Sequence, residues 1–177
     1  HLGNVNLMSS GCFKPYLPGY RAWRENGMTA MYNALDQGKR IVAITADLRL
    51  FYHRVSPAFL LNTQYLKFTK LEGQFSLDQK AFTQGMIDAV KAWAKCTPLH
   101  KKQPGTGLPV GLSASKLIAN VALAELDAVI LRELQPVYYG RYVDDILLVL
   151  EDAQGFTNSG DVWAYIESRC DKMLLVK

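Results

Sequence analysis

The sequence predicts an α+β domain in which an antiparallel sheet is backed by helices. Three observations carry this expectation. Ile41-Val42-Ala43-Ile44-Thr45-Ala46 is a short, β-branched, apolar run of the kind that forms a buried strand. Residues 136–142 and 146–150 are two further strand-like runs, so close in the chain that they pair as an antiparallel hairpin turning at Asp144-Asp145. Between the first strand and the hairpin, apolar residues recur at helical spacing.

The elements follow in order. Residues 1–27 are rich in glycine, proline and aromatics, as in Gly11-Cys12-Phe13-Lys14-Pro15-Tyr16-Leu17-Pro18-Gly19-Tyr20, and read as irregular structure or short strands. A helix over 29–37 follows, closed by Gly38 where a left-handed residue ends a helix. The strand then ends at Asp47. Ser56-Pro57 has the form of a helix start, serine capping and proline in the first turn. Ser76 opens another helix, with Phe82, Met86, Ala89, Val90 and Trp93 on one face. Residues 96–106, with Pro98, Lys101, Lys102, Pro104 and Gly105, form the clearest loop. Residues 114–134 read as one long amphipathic helix with Leu117, Val121, Ala124 and Ala128 along its apolar stripe. A last helix over 162–173 starts after Ser159-Gly160-Asp161.

Composition narrows the class. The 177 residues are 49% apolar and 20% charged, which excludes a disordered tail, a collagen-like rod and a coiled coil. Twenty Lys and Arg against sixteen Asp and Glu leave a net charge of +4, compatible with a polyanionic partner. Cys12, Cys96 and Cys170 stand too far apart for a metal finger, and an odd, sparse count fits a reducing, cytoplasmic compartment. Cys96 with His100 has the spacing of half a metal site and no second half. Trp23, Trp93 and Trp163 read as core residues. No apolar stretch is long enough to span a bilayer, so no membrane is expected. His1 in place of an initiator methionine, and the apolar run at residues 173–177, lead us to expect a fragment.

Tyr142-Val143-Asp144-Asp145-Ile146 is the most unusual local feature, two adjacent acids between apolar strands. Aspartate is a favoured turn residue, so a plain hairpin is one reading. Asp47, at the end of a second strand, shifts the balance. Sheet strands lie about 4.8 Å apart, so an acid at one strand end can meet a hairpin acid on its neighbour. Three clustered carboxylates repel one another unless cations neutralise them. Mg²⁺ takes oxygen ligands and shares its shell with substrate phosphates, and paired ions suit in-line phosphoryl displacement.

Asp47-Leu48-Arg49-Leu50-Phe51-Tyr52, then Gly107-Leu108-Pro109-Val110-Gly111, then Tyr142-Val143-Asp144-Asp145 resemble the three ordered motifs of a reverse transcriptase palm. The resemblance covers residues 41–150. It implies a palm over 41–177 with a fingers-like insertion at 64–106, partial fingers over 1–40, and a thumb absent from this chain. It implies two Mg²⁺ ions, with Mn²⁺ as the alternative, bridged by Asp47 and Asp144, assisted by Asp145 and by the carbonyl of Leu48. The amides of Leu50 and Phe51 would contact a nucleotide triphosphate, and Lys14, Arg21 and Arg24 stand where fingers supply cations, although each reads more readily as a solvated surface charge than as a ligand. Tyr52 would lie beneath the incoming sugar and exclude a 2′-hydroxyl, which favours DNA as product. Gly111 would let the backbone approach template or nucleotide, and Val110 departs from the glutamine usual there. Gly107-Leu108-Pro109-Val110-Gly111, followed by Ser and Ala-Asn, resembles the bacterial defence-associated and abortive-infection groups, which implies an antiviral role. The implied partners are an RNA template, a DNA, RNA or protein primer, deoxynucleoside triphosphates, and a non-coding RNA or partner protein. The rival readings are an RNA-templated RNA polymerase, disfavoured by Tyr52, and a catalytically silent palm-like subunit, which Val110 keeps open.

Overall fold

A computed structural model describes residues 15–170. They fall into two compact units, one from the described parts of His1–Asp47 and Ile130–Lys177, the other from Leu48–Val129.

The first unit is built on a three-stranded antiparallel sheet in the order β1-β3-β2, with β1 at Ile41–Asp47, β2 at Tyr138–Tyr142 and β3 at Asp145–Glu151. The central position of β3 explains its composition. Ile146, Leu147, Leu148, Val149 and Leu150 are all buried, because a middle strand covered on both faces has no place for a polar alternation. Strand β1, at the edge, alternates between exposed and half-buried positions. At one end of the sheet, Arg40 pairs with Asp152 at 2.9 Å and Lys39 with Glu151 at 2.8 Å. The other end carries the acids.

Helix α1 (Tyr16–Asp36) packs on the sheet. The reading of residues 15–27 as irregular is therefore corrected. Pro18 lies in the first turn, where backbone N–H groups have no partner within the helix and proline is tolerated. Tyr16, Tyr20, Trp23 and Gly27 recur at helical spacing. Two glycines let helix and sheet approach. A Cβ on Gly140 would meet the Tyr138 hydroxyl at 2.5 Å and Trp23 Cδ1 at 2.7 Å, and one on Gly27 would collide with the Leu147 side chain. The Tyr138 hydroxyl, so placed, donates to the Trp23 carbonyl at 2.8 Å. Helix α7 (Ser159–Arg169) is capped by Asn158, one residue before the expected cap, and residues 171–173 of the expected helix lie outside the described residues.

The second unit is helical. Helix α2 (Phe51–Arg54), a 3₁₀ turn (Pro57–Leu61), α3 (Thr63–Phe68), α4 (Leu77–Lys95), a second 3₁₀ turn (Pro98–Lys101) and α5 (Ser113–Ala122) precede α6 (Ala124–Leu134), which runs on into the residues of the first unit. Ser76 caps α4 as expected, in a reciprocal box with Gln79. Ser56-Pro57 opens a 3₁₀ turn and makes no side-chain cap bond. The buried face of α4 is Ile87, Val90 and Ala94, rotated from the expected stripe, so Phe82 is 77% exposed and Trp93 is exposed rather than core. The expected single helix over 114–134 is broken at Leu123. Beside the break the Tyr65 hydroxyl donates to the Val121 carbonyl at 3.1 Å, so that a side chain competes for a carbonyl of the helix ladder. Leu117 and Val121 are exposed, and Ile118 and Ala119 fill the core instead.

Candidate active site

The acid-bearing end of the sheet is set by register. Asp145 on β3 lies opposite Asp47 on β1 and opposite Tyr142 on β2. The hairpin loop is thus Val143-Asp144, one residue earlier than the expected Asp144-Asp145, because Asp145 is already the first residue of its strand. Val143 has φ +58°, while Asp144 is not among the positive-φ residues, the sign pattern of a type II′ turn. Glycine is the usual residue there, and a β-branched residue at positive φ is a strained exception. Arg141 Nη1 donates to the Val143 carbonyl at 2.6 Å.

Three acids therefore share one sheet end. Asp47 and Asp145 are exposed and Asp144 is half-buried. Burial pushes the Asp144 carboxyl above the usual carboxylate range, and the charges of Asp47 and Asp145 push the same way. A hydrogen bond to its own backbone amide and the Arg141 guanidinium pull it back in part. Beside the turn, Tyr142 meets Tyr20 edge-on at 5.4 Å and Tyr16 at 5.6 Å, with Trp23 at 6.5 Å. Burial, then Tyr16, raises the Tyr142 hydroxyl.

Among the described residues, no three His, Cys, Asp or Glu side chains converge closely enough to hold a metal ion as they stand. Beside burial, the charges of Asp47 and Asp145 add to the rise at Asp144, a repulsion between like charges at one sheet end. The donor set nonetheless fits a hard divalent cation. It is all carboxylate oxygen, it carries the repulsion that a cation relieves, and the exposed Asp47 and Asp145 can swing about χ1 and χ2 with the backbone fixed.

In the second unit, the segment after Asp47 is tied to the Gly107–Gly111 stretch. Leu50 takes a left-handed conformation, φ +56° and ψ +33°, immediately before α2. Phe51 is buried and its amide donates to the Leu48 carbonyl at 3.0 Å. Tyr52, half-buried, stacks edge-on against Phe51 at 6.0 Å, and its carbonyl accepts from the Leu108 amide at 2.7 Å. Gly107 donates to the Val55 carbonyl at 2.9 Å. Val110 is 75% exposed, and Gly111 has φ +94° with open space where a Cβ would sit. The glycine answers the turn and leaves its surroundings clear.

The expected cation ligands divide. Arg21 and Arg24 are exposed on α1, and Lys14 lies outside the described residues. Residues 48–129 carry ten Lys and Arg against five Asp and Glu, a net +5, whereas the remaining residues hold ten against eleven, a net −1. The basic excess belongs to the helical unit. Sequence reasoning missed Arg141 and the α1 aromatics. The repeat of Tyr16, Tyr20, Trp23 and Gly27 at i, i+4, i+7 and i+11 was the signal available for the latter.

Among the described residues, no helix is long and apolar enough to cross a membrane. No curated protein matches the chain. A family model described as reverse transcriptase (RNA-dependent DNA polymerase) matches residues 5–170, a span that contains the Asp47 strand end, the Gly107–Gly111 turn and the Tyr142–Asp145 hairpin. With that match over nearly its whole length, the chain belongs to the reverse transcriptase family.

Proposed function

We propose that this chain carries out template-directed DNA synthesis, the attack of a primer 3′-hydroxyl on the α-phosphate of a deoxynucleotide with release of pyrophosphate. Residues 41–177 act as palm, with a fingers-like insertion at 64–106 and partial fingers over 1–40. The observation that carries the reading is the rung pairing Asp47 with Asp145, with Asp144 in the adjoining turn. These carboxylates would hold two Mg²⁺ or Mn²⁺ ions, and bound there the ions would stabilise charge on the attacking and leaving oxygens. The chain's own contribution is to present three acids at one fixed sheet end. Tyr52 sits beneath the incoming sugar and rejects a 2′-hydroxyl by contact. The basic excess of residues 48–129 supports an RNA template and a primer as partners. The Gly107–Gly111 stretch, followed by Ser and Ala-Asn, supports a place among bacterial defence-associated reverse transcriptases, which phage plating with and without Asp144→Asn tests.

The decisive measurement is primer extension on an RNA template with Mg²⁺. Extension by the wild type and its loss in Asp144→Asn support the reading; equal extension by both makes the hairpin a plain turn, and none by either makes the chain a silent subunit. Tyr52→Ala should raise ribonucleotide use relative to deoxynucleotide about 10- to 1,000-fold in kcat/KM, equivalent to loss of roughly 1.4–4 kcal/mol of clash. Unchanged discrimination would return Tyr52 to a packing role and reopen RNA as the product.

A further inference from the structure

The Val143 backbone poses a physical problem. A β-branched residue held at φ +58° carries strain on the order of 1–3 kcal/mol, and such a conformation persists only where surrounding contacts over-determine it. The two residues that flank the turn, Tyr142 and Asp145, are committed to the ladder opposite one another, which closes the turn at both ends. In a two-residue hairpin the peptide between the central residues has two orientations, related by a flip that distinguishes the primed turn types. The carbonyl of that peptide belongs to Val143. Arg141, two residues earlier on β2 and opposite Ile146, reaches it with Nη1 at 2.6 Å, a short charge-assisted bond in a part-buried setting.

We propose that Arg141 is a positioning residue: by holding the Val143 carbonyl it locks the Val143–Asp144 peptide in one orientation and so fixes where the Asp144 carboxylate is presented. The proposal rests on Asp144 being catalytic, as argued above. The role assigned to Arg141 is one of position and not of contact with the reacting atoms. It acts through the peptide plane, and the strained valine makes the turn dependent on it.

Val143 is the only valine followed by aspartate in the chain. Labelling with carbonyl-13C valine and 15N aspartate therefore yields a single HNCO correlation, which reports this peptide alone. Arg141→Met should move or split that correlation, and Arg141→Lys, which keeps a cationic donor, should move it less. In primer extension Arg141→Met should lower kcat about 10- to 100-fold, with the nucleotide KM held within about threefold, because orientation is lost and binding is not. Arg141→Lys should recover part of the loss. An unmoved correlation in Arg141→Met overturns the proposal. So does a moved correlation with kcat unchanged, in a protein that Asp144→Asn inactivates. If Asp144→Asn itself extends primers normally, the catalytic reading of the turn fails and the proposal falls with it; the correlation still shows separately whether Arg141 holds the peptide. Should Arg141→Met fail to fold, Arg141→Lys supplies both readouts.

Discussion

Two aspartates of the same unit, one in the first turn of a helix and one in a hairpin turn, meet opposite surroundings. Asp161, in the first turn of α7, is fully exposed. Its carboxylate accepts the Thr157 hydroxyl at 2.6 Å and the Thr157 amide at 3.0 Å, while its own amide donates to the Asn158 side chain at 3.1 Å. The hydrogen bonds from Thr157 hold its carboxyl below the usual range. Asp144 is half-buried, faces two further acids, and is held above that range, first by burial and then by those charges. One carboxylate is satisfied by the fold and helps to start a helix. The other is left facing the charges of its neighbours. The contrast lies in environment, since the residue type is the same.

Activity should separate the two most sharply. Asp144→Asn should reduce primer extension by about 10³-fold or more, the scale on which enzymes lose rate when a group that stabilises the transition state is removed. Asp161→Asn should leave extension within about threefold. Equal losses would erase the functional side of the contrast.

Packing comes next. Gly140→Ala places a methyl group against the Tyr138 hydroxyl and Trp23, and should cost about 1–3 kcal/mol, read as a lowered denaturation midpoint. Asn158→Ala, which removes the α7 cap bond, should cost about 1 kcal/mol. A Gly140→Ala protein as stable as wild type would mean that α1 does not rest closely on β2.

The smallest effect has the clearest sign. A carboxyl raised in the folded state favours folding most when protonated, so Asp144 opposes folding once pH exceeds its raised value. Asp144→Asn should then be slightly more stable than wild type near neutrality, by less than about 1 kcal/mol given solvent screening. The gain should vanish as pH falls through that value towards 3.8. Asp161 is lowered, so its contribution is present above 3.8 and is lost as pH falls through its depressed value. The stability gap between wild type and Asp161→Asn should therefore close in acid, with wild type the more stable above it. Thermal melts of the three proteins from pH 3 to 7 measure both trends, and parallel slopes would refute the opposed environments.

Much of this contrast was legible in the residues. The β-branched run before Asp47, the apolar flanks of the hairpin and the Ser76-Gln79 box are local signals, and the structure follows them. The positions of Asp47, Asp144 and Asp145 at one sheet end needed only strand spacing to foresee. Helix α1 was hidden because proline and glycine in its first turn read locally as punctuation, whereas its stability comes from packing of Tyr20, Trp23 and Gly27 on the sheet. The faces of α4 and α5 were misjudged for a related reason: with apolar residues around much of each helix, only the tertiary partner decides which side is buried. Arg141 was illegible in principle, since an arginine in a strand announces nothing until the strained carbonyl beside it is seen.

The rung joining Asp47 to Asp145 also bears on how this chain can vary. Side chains alternate across a sheet with a period of two, so inserting or deleting one residue within β1 would turn Asp47 to the opposite face while leaving its apolar content nearly intact. Exchanges among Ile41, Val42 and Ile44 should pass with small penalties, as long as the count of residues back to the Arg40–Asp152 pair is kept. For relatives of this chain, the length of that strand is thus a stricter requirement than its spelling, and indels should be excluded from residues 41–47 even where substitutions are common.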